Sequence, residues 1–144
     1  MKAAATAALI LLLPVVSVAN SATDRMNIAA TVVAHITLSV LREPETLSIS
    51  EQDIERGYIE ARAHYGVKTN VADGYRLRFV PRVGLARQVT ILGLGGAVVL
   101  RDLEVDVFRP VSSDDVNLRL RIDLRPDLEA GSHRWPLLVA AEVD

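Results

Sequence analysis

The chain has 144 residues, half of them apolar, with 16 basic and 18 acidic side chains and no cysteine. A nearly balanced, slightly acidic charge is not the basic footprint of a nucleic-acid binder. The absence of cysteine excludes disulfides, thiol catalysis and a lipidated N-terminal cysteine together, so stability must come from packing and hydrogen bonds.

The first element is read as a secretory signal. Lys2 gives a short basic start, Ala3 to Val18 is apolar apart from Thr6 and Ser17, and Ser17-Val18-Ala19 fits a small-x-small cleavage site. Cleavage after Ala22 is the second choice. A membrane anchor would need about 20 apolar residues and a basic stop; this stretch is barely that long, holds Pro14 and is followed by no such stop. Removing residues 1–19 from 144 leaves 125, one ordinary domain with no membrane attachment expected. An exported chain without disulfides fits a bacterial periplasm or cell surface.

From Met26 to Val40 the chain alternates. Met26, Ile28, Ala30, Val32, Ala34, Ile36, Leu38 and Val40 are apolar, and mostly polar residues fill the gaps. A period of two places one set on each face of an extended strand. The run exceeds the usual strand of about five or six residues. Two readings follow: a free N-terminal extension over 20–31 ahead of a domain over 32–144, or the first strand of a self-complete sandwich.

Thr46 to Ser50 alternates briefly, and Ser50-Glu-Gln-Asp53 can cap a single helical turn that Gly57 stops. Tyr58–Ala63 and Val67–Val71 are expected as separate modest strands. Gly74–Val80 alternates with Tyr75, Leu77 and Phe79 on one face and Arg76 and Arg78 on the other. Gln88–Leu92, Ala97–Leu100 and Leu103–Phe108 follow, with turns at Gly93–Gly96 and Arg101-Asp102. Ser112–Asp115 is expected as a turn. Val116–Leu124 is the cleanest strand, with Leu118, Leu120 and Ile122 facing one way. His133–Val143 is expected as one last strand presenting Trp135, Leu137 and Val139. The predicted core is Leu77, Phe79, Leu118, Leu120, Ile122, Trp135, Leu137 and Val139.

Seven to nine short strands with turns at this spacing predict an all-β, Ig-like antiparallel sandwich, with a closed barrel as the alternative. An outer-membrane barrel is disfavoured, because its lipid-facing band wants aromatic girdles and aromatics make up only 4% of the chain. No chemistry is legible. His35, His64 and His133 have no metal-ligand spacing, neighbouring Ser132 and His133 point to opposite faces of a strand, and Gly93-Leu-Gly95-Gly96 lacks the residues of a phosphate loop. No catalytic residue, cofactor or metal is predicted. Arginines are spread along the chain. Arg76 and Arg78, Arg119 and Arg121, and Glu104 and Asp106 take outward positions on three strands, where opposite charges would pair if those strands are neighbours. Such a face is ordinarily solvated; a carboxylated glycan or an acidic partner is the alternative.

The plan of signal, alternating N-terminal strand, short β-domain and the closing run Asp127-Leu-Glu-Ala-Gly-Ser-His-Arg-Trp-Pro-Leu-Leu-Val139 resembles the small Ig-like subunits of chaperone–usher pilus systems, in particular the archaic branch with spore-coat-U-like pilins. The chain departs from that pattern in lacking the disulfide of many such pilins and a C-terminal aromatic. The resemblance implies a non-enzymatic fimbrial subunit or accessory protein, a sandwich with one strand missing. Its implied partners are a periplasmic chaperone, an outer-membrane usher and other pilus subunits, with strand addition as the mode of assembly. Met26, Ile28, Ala30 and Val32 would then be the intermolecular strand. The rival expectation is a stand-alone periplasmic binding or accessory module.

Overall fold

The computed structural model describes residues 30–143. Met26 and Ile28 lie outside the described residues, as does the signal segment. The described chain is all-β and antiparallel. It runs β1 (Ile36–Arg42), β2 (Thr46–Ile49), α1 (Glu51–Arg56), β3 (Tyr58–Thr69), β4 (Tyr75–Pro81), β5 (Ala86–Leu92), β6 (Val98–Leu100), β7 (Val105–Arg109), β8 (Ser113–Leu124), β9 (Gly131–Arg134) and β10 (Leu137–Glu142). A five-stranded sheet has the order β1-β3-β8-β5-β6, a three-stranded sheet β10-β4-β7, and a short ribbon β2-β9.

Period-two patterning builds the sandwich. Ile59, Ala63, Tyr65 and Val67 on β3 and Val116, Leu118, Leu120, Ile122 and Leu124 on β8 are buried. So are Tyr75, Leu77 and Phe79 on β4, and all of these belong to a single core. Trp135 and Leu137 are buried with them, and Val139 packs against the core while partly exposed. Fully burying side chains of this kind contributes roughly 1.5–3 kcal/mol each before the entropy of ordering is subtracted.

Ten strands replace the expected seven to nine, and the differences have local causes. β3 is a single twelve-residue strand rather than two. Gly66 does not interrupt it, because its neighbours β1 and β8 hold it from both sides, opposite Ser39 and Asp115. For the same reason β8 begins at Ser113: the expected turn residues Ser113, Asp114 and Asp115 pair with Lys68, Val67 and Gly66. Where a partner strand continues, its ladder overrides turn-prone side chains.

Among the described residues, the alternation becomes strand only from Ile36. Ile36 pairs with Thr69, the last residue of β3, so no ladder lies beyond it. There the Asn70 side chain takes over: its Oδ1 accepts from His35 N at 2.7 Å, and its Nδ2 donates to Val33 O at 2.8 Å. The expected final strand is broken at Trp135-Pro136. Proline has no N–H to donate to a ladder, so β9 pairs with β2 and β10 crosses to pair with β4. Trp135 N donates to Glu45 O, and Pro136 O accepts from Arg82 N, fixing the crossover.

The capped turn forms as read. Ser50 and Asp53 exchange the two bonds of a capping box, and Gly57 closes α1 in the left-handed region at φ 80°. Gly74, at φ 106°, passes so close to the Arg109 carbonyl that any Cβ would collide with it.

Candidate interaction surfaces

Two of the predicted intermolecular residues fall within the described residues. Ala30 and Val32 are both exposed, Val32 at 76% and the adjoining Val33 at 78%, and neither is in a strand. Among the described residues, then, the apolar alternation divides: Ile36 and Leu38 pack against the core, and the residues before Ala34 do not.

The sheets end in four strands. β1 and β6 bound the five-stranded sheet, and β10 and β7 bound the three-stranded one. β10 lies against β1, which covers that side of the sandwich. On the other side, among the described residues, β7 pairs only with β4, through Tyr75↔Arg109 to Phe79↔Val105. Among the described residues no backbone group bonds to its outer edge. Val105 and Val107 of β7 pack against the core while partly exposed, and Leu103 and Phe108 beside them are exposed. An unpaired edge with apolar inward residues is a template for another strand. Asp106 and the following Pro110 are features that commonly blunt such an edge.

β7 also carries the charge ladder. Arg78 and Asp106 stand directly opposite on β4 and β7 and make a two-pronged bond, Nε to Oδ1 at 2.9 Å and Nη2 to Oδ2 at 3.1 Å. Arg78 also reaches Glu142 on β10 at 3.1 Å. The hydrogen bond from Arg78 holds the Asp106 carboxyl below its ordinary range. The three strands are thereby tied on their solvent side. Arg119 and Arg121 do not join them, because β8 belongs to the other sheet.

Two side chains, Tyr75 and Arg109, link the sheets through Asp114. The Tyr75 hydroxyl on β4 donates to Asp114 Oδ2 on β8 at 3.0 Å, and Arg109 at the end of β7 donates to the same oxygen from Nε at 2.8 Å. Burial first, and the Asp114 carboxylate second, push the Tyr75 phenol up to about 12. Tyr65 on β3 is buried and donates to Glu43. Burial and then that carboxylate push its phenol well above the ordinary tyrosine value. The Trp135 indole lies near enough to offset part of that rise, but it is not in hydrogen-bonding geometry, so its buried Nε1 has no partner. The Tyr75–Asp114 and Tyr65–Glu43 contacts join residues far apart in the chain, and no periodicity in the sequence announced them.

The histidines are dispersed. His35 shares a bond with Thr37, His64 pairs with Asp115, and His133 Nε2 donates to Glu129 O. Among the described residues no group of three histidine or acidic side chains could hold a metal ion. Comparison of the chain with protein-family models, with curated proteins and with solved structures gave no match.

Proposed function

We propose that this chain is an exported, non-enzymatic structural subunit, pilin-like, that assembles by donating its N-terminal segment as a strand to the next copy. The observation that carries this reading is where β1 begins. The apolar alternation continues through Ala30 and Val32, but the domain's own ladder starts at Ile36 and leaves those residues exposed. Among the described residues an edge of matching character has no partner at β7, where Val105 and Val107 face inward. In this reading Met26, Ile28, Ala30 and Val32 fill the positions beside that edge, and main-chain bonds to it supply affinity. A periplasmic chaperone would cover the edge before an usher brings the next subunit.

Size-exclusion chromatography of residues 20–144 against a version starting at Thr31 tests it, because every described strand survives that truncation. The longer chain is expected to form concentration-dependent oligomers. The shorter one should stay monomeric and folded, and should bind a peptide spanning Asn20 to Ala34. As the chain has no cysteine, Ala30→Cys mixed with Asp106→Cys gives a clean crosslink between copies, reported with a short bis-maleimide. Two equally stable monomers, with no peptide binding and no crosslink, would leave a stand-alone module as the better reading.

A further inference from the structure

The outward face of the five-stranded sheet gathers arginines that the sequence scatters. Arg62 on β3 and Arg119 on β8 are direct cross-strand partners, so their Cβ atoms stand about 5 Å apart. Like charges in that position are destabilising unless something neutralises them. Both are exposed, and among the described residues no carboxylate lies within ion-pairing distance of either. The other guanidinium–carboxylate pairs show that this is not general: Arg56, Arg78, Arg109, Arg121 and Arg125 each have a carboxylate partner.

Two shallow clefts meet at this pair, of about 330 and 390 Å³, and Arg62 and Arg119 line both. The first adds Arg121, held by Asp123 at 3.1 Å with its guanidinium 3.9 Å over the Tyr58 ring. It also contains Glu60, while Asp123 and Asp115 are taken up by Arg121 and by His64 of the second cleft. The second adds Arg42, His64 and Asn117. The clefts are displaced by two residues along β3 and β8, roughly 7 Å at strand rise.

The geometry points to a binding site for a carboxylate-bearing polysaccharide, with successive carboxylates seated on either side of the Arg62–Arg119 pair. Guanidinium forks match carboxylates with two parallel bonds. β3 and β8 are hydrogen-bonded to neighbours on both sides, so no main-chain edge is available to read a peptide. The surface offers chiefly donors, and a chain of carboxylates and hydroxyls, rich in acceptors, complements it better than a peptide does. The site is on the face opposite the core and does not depend on the assembly proposed above.

The test is isothermal titration of residues 20–144 with an oligogalacturonate, its methyl ester and poly-L-glutamate at low and at moderate salt. The oligogalacturonate should bind and weaken with salt, while the ester, the same sugar without charge, should not bind. Arg62→Gln and Arg119→Gln should each weaken binding about tenfold or more, and Arg134→Gln on β9 should leave it unchanged. Arg62→Lys and Arg119→Lys, which keep the charge but lose the fork, should fall between. Relief of like-charge repulsion should keep the urea midpoints of the glutamine variants at or above that of the parent. The proposal is overturned by absence of binding at low salt, by equal binding of the ester, or by poly-L-glutamate binding as tightly. It fails equally if the Arg62→Gln/Arg119→Gln double variant binds as the parent does.

Discussion

Tyr75 and Tyr65 show how side chains from distant positions are made to depend on one another. Both phenols donate to carboxylates in a water-poor setting, so their neutral forms are favoured in the folded state. A phenol whose folded pKa lies above its unfolded value, about 10, stabilises fully below that pH. The contribution is lost as pH rises through the folded value, about 12 for Tyr75. The urea midpoint should therefore fall between about pH 10 and 12, and Tyr75→Phe should flatten the decline while lowering stability at neutral pH by about 1 kcal/mol. A decline as steep in a Tyr65→Phe/Tyr75→Phe variant would assign it elsewhere. Tyr75 was legible as a core-facing residue from its alternation. Its partner was not, since Asp114 falls in a run of turn-forming residues and reaches Tyr75 only because β8 is extended by β3.

Elements with strictly local causes read most accurately. The helical turn after β2 is specified by Ser50, Asp53 and Gly57 within eight residues, and all three act as their chemistry implies. Ser50→Ala should cost about 1 kcal/mol in urea unfolding, and Ser50→Asp, which restores an acceptor, should recover most of it. Strands whose length depends on a neighbour read less well. β3 absorbs Gly66, β8 absorbs Ser113 to Asp115, and β1 begins at the residue opposite Thr69, where its partner ends. The break at Pro136 was legible in the residue itself, since proline cannot donate to a ladder; the alternation of Trp135, Leu137 and Val139 across it masked the change of partner.

At the scale of the whole molecule, the core runs through both sheets and Trp135 sits at the crossover between β9 and β10. Because it is the sole tryptophan, its fluorescence reports that crossover alone, whereas far-UV circular dichroism reports all strands. The two signals should give one coincident urea transition in residues 20–144. A fluorescence change that precedes the loss of strand signal would make β9 and β10 a separately unfolding unit. Surface charge divides by sheet in the same way. Arg78, Asp106 and Glu142 satisfy one another across three strands, while Arg62 and Arg119 are set side by side with no carboxylate partner among the described residues.

By itself the sequence determined the all-β class, the antiparallel sandwich, the capped turn and most of the core, because each follows from residues within one strand or one turn. Leu77, Phe79, Leu118, Leu120 and Ile122 are inward for the same reason they alternate: a strand has two faces and only one is dry. Only the tertiary structure decided which strands are neighbours, and everything at long range depends on that. It separated Arg119 from Asp106, set it against Arg62, left the outer edge of β7 without a described partner and began β1 at Ile36. Pairing is a property of two segments and the space between them, and a one-residue change of register would exchange the two faces.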